Sequence, residues 1–301
     1  MRFKLLLLFY LVGRPAFSQN AAPADSAKLF RNRKMVFGAA CGAAAAGSLV
    51  YLSQAWYQYY AGSRFHWFND DSEWLQMDKA GHCFTTYQTG RLMMQSMRWA
   101  GFSKQQSTFI GGASGLVYMT AIEIMDGFSS GWGFSWGDMG MNTAGSALAT
   151  AQQYFWEEQR IGLKFSFHQT GYPQYRPALL GSDLSKQILK DYNGQTYWLT
   201  VNIASFLPKG ARFPRWLNIA AGYGAEGMIS GNNDYVYISG ATVIGNNRYR
   251  KLLLSLDLDF TRLKTKNKFL RSFFSVINCI KLPFPALEFN PAGAKTHLLY
   301  F

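Results

Sequence analysis

Between residues 74 and 156 charged side chains are scarce, and several of those present stand in polar pairs at helical spacing. Asp78 and His82 are four apart, Glu123 and Asp126 three apart, and Asp138 and Asn142 four apart, so each pair shares one face of its helix. Lys79 lies beside the first pair. Carboxylates in apolar surroundings are costly to leave unpaired. These pairs must therefore meet one another, meet Lys79, or hold an ion. One His with three carboxylates (His82, Glu123, Asp126, Asp138) and the Asn142 amide suits a hard or borderline divalent cation. Such a cation activates water for hydrolysis, with a spare carboxylate as general base. Asp78, Lys79, His82, Glu123, Asp126, Asp138 and Asn142 are thus the candidate catalytic residues, and one divalent metal ion is the candidate cofactor. The alternative is a metal-free network in which Lys79 and His82 neutralise the acids and fix the helix packing.

Other chemistries find less support. Cys83 follows His82, but adjacent helix positions point about 100° apart, which does not favour a hydrogen-bonded nucleophile and base. No glycine-rich loop ends in Lys-Ser or Lys-Thr, and Ser129-Ser130-Gly131 lacks the strand-turn-helix frame of a hydrolase elbow. Three cysteines without a CxxC pair exclude a disulfide scaffold and a thiolate zinc site.

The elements that must position these residues are helices over 74–100, 104–126 and 136–158. Gly111, Gly112 and Gly115 on the second, and Gly140, Ala144 and Gly145 on the third, let backbones approach closely. A fourth helix is expected from the Gly/Ala-rich stretch 35–60. Its apolar core, Met35 to Leu52, sits at the threshold for a membrane span. Arg31, Arg33 and Lys34 precede it, which conflicts with positive-inside reasoning after a cleaved signal. The stretch is therefore read as a buried helix or one lying at a membrane surface.

After Arg160 the period changes to two. Leu252, Leu254, Leu256, Leu258 and Phe260 alternate with mostly polar residues, as do Leu217, Ile219, Ala221, Tyr223 and Ala225 with Asn218, Ala220, Gly222 and Gly224. Weaker strands fall at 161–168, 198–207, 234–244, 283–289 and 296–301, with short helices near 183–192 and 267–279. The closing aromatic, Phe301, also occurs in the final strand of outer-membrane barrels. The fold class expected is α+β: an N-terminal small-residue-rich four-helix unit, then an antiparallel β-rich half forming a sheet or small barrel.

Residues 1–18 combine Arg2 and Lys4, an apolar run from Leu5 to Val12, and small Ala16 and Ser18, the layout of a secretory signal peptide. Four segments follow from this reading: signal peptide 1–18, basic linker 19–34, helical domain 35–160 and basic β-rich domain 161–301. An aromatic content of 17% excludes disorder as the main state, and a mean hydropathy of −0.09 argues against a membrane bundle filling the whole chain. Residues 19–160 hold 10 basic and 10 acidic side chains, whereas 161–301 hold 17 basic and 7 acidic. A basic half on an exported protein points to a membrane lipid or envelope component as partner rather than nucleic acid. Arg262, Lys264, Lys266, Lys268 and Arg271 are the candidate contact with an anionic surface.

Met77-Asp78-Lys79-Ala80-Gly81-His82, Glu123-Ile124-Met125-Asp126-Gly127-Phe128-Ser129 and Trp136-Gly137-Asp138 with Asn142 and Gly145 resemble the predicted periplasmic lipoprotein family, domain of unknown function 2279. The resemblance covers roughly residues 35–157. A looser similarity in motif order is to the VanZ-like small membrane proteins. The resemblance implies an exported, envelope-associated helical module in the periplasm or outer membrane of a Gram-negative cell, and it supplies no activity. This chain differs in having no cysteine at the expected cleavage junction and in adding the basic β-rich half. Two functional classes follow. One is a membrane-associated envelope protein binding lipid or an envelope partner. The other is a metal-dependent hydrolase or transferase acting on a lipid or cell-wall precursor.

Overall fold

The computed structural model describes residues 23–57, 60–208, 210–232, 235–238, 241–244 and 248–301. The expected signal peptide lies outside the described residues. The first half is helical: α1 (Pro23–Trp56), α2 (Met77–Ala100), α3 (Gly112–Gly127) and α4 (Trp136–Phe155). A π-helical turn at Ser107–Gly111, started by a Ser103/Gln106 capping box, leads into α3. Helix α1 begins inside the segment expected to be a basic linker.

The second half is β-rich. Strands β1 (Ile161–Phe167), β2 (Gln195–Asn202), β3 (Leu217–Glu226), β6 (Tyr249–Leu258), β7 (Phe284–Asn290) and β8 (Gly293–Tyr300) form one antiparallel sheet in that order. The sheet is open, not closed into a barrel, and Ile280 bridges the outer edge of β1 at Phe165. The strand expected over 234–244 is instead a hairpin of β4 (Tyr235–Ile238) and β5 (Ala241–Ile244). Helices α5 (Leu184–Lys190) and α6 (Lys268–Ile277) complete the fold. Strand β2 stops at Asn202 because that side chain accepts from Ser205 N and caps a 3-10 turn.

Helix α2 is the centre of the helical half, and glycines let its neighbours reach it. A methyl at Gly115 of α3 would run into the Thr86 carbonyl of α2, and one at Gly145 of α4 into the Cys83 carbonyl. Backbone cannot move aside as a side chain does, so Gly115→Ala and Gly145→Ala should each lower stability by about 1–3 kcal/mol. Gly140 on α4 has no atom within 4 Å of such a methyl. There alanine should be neutral or slightly stabilising. Urea unfolding midpoints check all three, and equal midpoints for the three variants would contradict this packing.

Helix α1 lies along the others through contacts on one side: Arg33 to the Trp99 carbonyl, Cys41 to Met93, and Ser48 to Tyr118. The expectation of a buried helix fails here, since Met35, Val36 and Val50 are exposed. By length and composition alone, Lys28–Trp56 and Lys104–Gly127 would each suffice to cross a membrane.

The sheet keeps the alternation read from the sequence, and the structure decides which row turns inward. Leu252, Leu254 and Leu256 of β6 are exposed, whereas Lys251, Leu253 and Asp257 on the alternate positions are buried. The inner face is polar: Lys164 pairs with Asp257 at 2.8 Å, Asn218 donates to Asp257, and His297 meets Glu288 at 2.9 Å. Trp198, Ala220, Leu253, Ala286 and Tyr300 form a small apolar core beside these pairs. A second core, Trp74, Met77, Leu180, Ala225 and Met228, joins the helical half to the sheet.

A candidate cation site at the floor of an apolar cavity

The site is assembled where α2 leaves an unusual turn. Trp74, Leu75 and Gln76 all take left-handed backbone angles, with φ of 46°, 50° and 61°. Such angles cost non-glycine residues energy and persist only where the surroundings enforce them. The second half does so: Tyr223 donates to the Leu75 carbonyl, Arg250 to the Gln76 side chain, and the Gly231 carbonyl accepts from Trp74 N. This turn starts α2 at Met77, so Asp78, Lys79 and His82 fall on its first turns facing α3 and α4.

Lys79 is the hub of one part. Its ammonium lies 2.7 Å from Asp70, 3.4 Å from Asp71 and 3.3 Å from Asp138. Ser135 caps α4 by accepting from Asp138 N and donates its own hydroxyl to Asp70 at 2.6 Å. His82 is the hub of the other part, and its two nitrogens face different groups. Nδ1 lies 3.2 Å from Asn142 Oδ1 and 3.3 Å from Glu123 Oε1, while Nε2 points to Asp78 at 3.8 Å. Thr86 also donates to Asn142, and Tyr192, from the loop before β2, donates to Asp78 at 2.6 Å.

All seven residues read from the sequence therefore come into one region, and the three whose ligand atoms lie closest together include Asp78 beside His82 and Asp138. Among the described residues, the ligand atoms of Asp78, His82 and Asp138 lie within 4.8 Å of one another. Glu123 stands behind the imidazole on the Nδ1 side, and Asp126 is held by the Tyr57 hydroxyl at 2.6 Å. Neither replaces Asp78 in that trio. An Nδ1–H held by Asn142, with Glu123 beside it, leaves Nε2 as the free lone pair, the arrangement by which outer partners orient a metal-binding histidine. Glu123 Oε1 and Asn142 Nδ2 are buried without a hydrogen-bond partner of good geometry.

The region is short of positive charge. Asp70, Asp71, Asp78, Glu123, Asp126 and Asp138 surround Lys79 and His82. Burial, aided by the charges of Asp78 and Asp70, pushes Asp138 up to about 9. Burial likewise pushes Glu123 up to about 8 against the pull of His82, and Asp126 to about 7 against the Tyr57 hydrogen bond. Burial also works to raise Asp70, but hydrogen bonds from Asp138, Lys79 and Ser135 outweigh it and hold the group below the usual carboxylate range. Three acids whose charge is disfavoured by burial mark a place where another cation would be accommodated.

A cavity of about 470 Å³ opens above this floor, between the helical half and the sheet. Asp78, His82, Asp126 and Asp138 line its polar end. Leu52, Trp56, Trp74, Phe84, Ile122 and Ile188 are among its walls. Tyr57, Asp70, Ser135 and Tyr192 were not among the residues read from the sequence. The Asp70-Asp71 pair just ahead of α2 was the one local signal, while Tyr57 and Tyr192 carry none.

The basic cluster also divides. Arg262 is engaged with Glu158 at 3.0 Å and Asp259 at 3.6 Å, while Lys264, Lys266, Lys268 and Arg271 are exposed. No curated protein and no solved structure matches the chain. Residues 66–153, which hold every acid of the cluster, match the family model described as predicted periplasmic lipoprotein (DUF2279), and this supports an exported protein.

Proposed function

We propose that this is an exported cell-envelope protein, of the periplasm or outer membrane, whose helical half binds an amphipathic molecule. The apolar part of that molecule lies between the aromatic walls. Its polar end meets a divalent cation held by Asp78, His82 and Asp138. The observation that supports this reading is the cavity itself, with apolar walls and a floor of carboxylates short of positive charge. A site of this size with a few convergent polar groups suits a lipid-like ligand. An acidic floor repels a phosphate unless a cation stands between them.

A lysophosphatidylethanolamine carrying an environment-sensitive dye should bind the full-length protein saturably in the presence of Mg²⁺ or Mn²⁺. Ile122→Trp fills the cavity without replacing an acid, and should weaken binding by about tenfold or more, equivalent to about 1.4 kcal/mol. Equal binding by the wild type and this variant would place the ligand elsewhere.

A second reading uses the same cation to activate water, making the protein a metal-dependent hydrolase or transferase acting on a lipid or cell-wall precursor. What favours it is the trio Asp78, His82 and Asp138 together with the further acids around it. Metal-dependent turnover of a phosphodiester such as bis-p-nitrophenyl phosphate, lost in His82→Ala, would support it. No turnover with any common divalent ion would leave binding alone.

A further inference from the structure

We propose that the outer face of the sheet, over β3, β6 and β7, is a lipid-contacting surface that seats this half of the protein on a membrane, with acyl chains as its occupant. A sheet with one face in water normally turns apolar rows inward and polar rows outward. Here the order is reversed. Cross-strand rows of Ile219 and Leu256, of Leu199, Ala221 and Leu254, and of Leu252 and Phe289 make up the outer face. The large residues among them are 41–57% exposed. On the opposite face Lys164, Thr196, Asn218, Lys251 and Asp257 are each 3% exposed or less, and Lys164 and Asp257 are paired. Outward apolar rows over an inward polar set are what a hydrocarbon solvent selects.

The exposed area continues a surface already in use. On β1 and β2 the same face is covered by α2, where Phe84 packs on Phe165 and Tyr197, and Tyr87 on Leu163. On β3 the turn before α2 covers only Tyr223 and Ala225 at the far end of the strand, and Ile219, Leu252, Leu254, Leu256 and Phe289 stay exposed. Contiguous apolar surface on this scale marks a partner or a membrane.

Charge and distribution favour lipid over a second copy of the chain. Helix α6 exposes Phe269, Leu270 and Phe273, and Lys264, Lys266, Lys268 and Arg271 stand beside them, also exposed. An apolar helix face flanked by basic residues is the form of a helix lying in the headgroup region, complementary to anionic lipid. Met35, Val36 and Val50 of α1 are exposed as well. One symmetric partner covers one patch, whereas an apolar phase accommodates several. Strand β8 pairs only with β7, so its outer edge is open among the described strands. An open edge does not enter hydrocarbon, so the sheet rests on the membrane by its face and does not pass through it.

The test is photolabelling of the full-length protein with vesicles of phosphatidylethanolamine and phosphatidylglycerol, doped with a phosphatidylcholine bearing a diazirine on its acyl chain. Peptide mapping should find adducts on Leu252, Leu254 and Leu256 and none on Leu253 or Asp257. Adducts absent from β3 and β6, or found there on both alternations equally, would overturn the proposal. In vesicle flotation, Leu252→Glu with Leu254→Glu and Leu256→Glu should lower the bound fraction by about tenfold, since three apolar contacts become charges. Unchanged flotation and unchanged adducts in the folded variant would count against it. Should the variant not fold, the wild-type adduct pattern decides. A wild-type dimer without adducts on the sheet would assign this face to a second copy instead.

Discussion

Lys79→Ala is expected to cost the fold about 3–5 kcal/mol, because it leaves buried carboxylates without their cation. The Lys79 ammonium touches Asp70, Asp71 and Asp138 at once, and its side chain is largely buried. Asp70 depends on it most, being held below the usual range in part by that contact. A loss of this size is a large share of the 5–15 kcal/mol that keeps a typical domain folded. Urea unfolding of the wild type and the variant measures it. Adding Asp70→Asn to Lys79→Ala should recover part of the loss, because the second change removes the charge that the first one stranded. A midpoint for Lys79→Ala within about 0.5 kcal/mol of the wild type, as ordinary surface substitutions give, would mean that the lysine is not the counter-ion of this cluster.

The second large effect concerns the cation. Full-length protein equilibrated with Mg²⁺, Ca²⁺, Mn²⁺ and Zn²⁺ in turn, then freed of loose metal, is expected to retain about one ion per chain by elemental mass spectrometry. His82→Ala and Asp138→Asn should each abolish retention while circular dichroism stays that of the wild type. Glu123→Gln is the discriminating variant. Glu123 sits on the Nδ1 side of His82, away from Nε2 and Asp78. Its loss should weaken binding by about 10–100-fold, as removal of an orienting partner does, without removing a ligand. Complete loss of the ion in Glu123→Gln would restore glutamate to the ligand set. Absence of any ion from the wild type would make the cluster a packing network around Lys79 and His82.

Much of this site was legible before any coordinates. Asp78 with His82, Glu123 with Asp126, and Asp138 with Asn142 were each recognisable because i,i+3 and i,i+4 spacing is a property of one helix. The helices themselves were recognisable from their small residues, and β1, β3, β6 and β7 from their period of two. Asp70, Ser135, Tyr57 and Tyr192 escaped because their roles depend on contacts between distant segments. Tyr57 reaches Asp126 across 69 positions and Tyr192 reaches Asp78 across 114. Asp126 shares a helix face with Glu123, and one of its oxygens accepts from the Tyr57 hydroxyl. Helical spacing carries no information about such a partner on another element.

The sheet marks the same boundary. Alternation of Leu252, Leu254 and Leu256 with Leu253, Ser255 and Asp257 determined a strand with two unlike faces, since successive side chains in a strand point to opposite sides. It did not determine which face turns inward. Only the tertiary structure decided that, by joining Lys164 to Asp257 and Asn218 inside the sheet and leaving the leucines outside. The sequence by itself determined an α+β chain, its basic second half and the seven polar residues of the helical half. The tertiary structure decided which of them surround His82 Nε2, that an apolar cavity stands above them, and that the sheet is inverted. The physical reason is the same in each case: periodicity is written along one element, whereas burial and ion pairing are settled between elements.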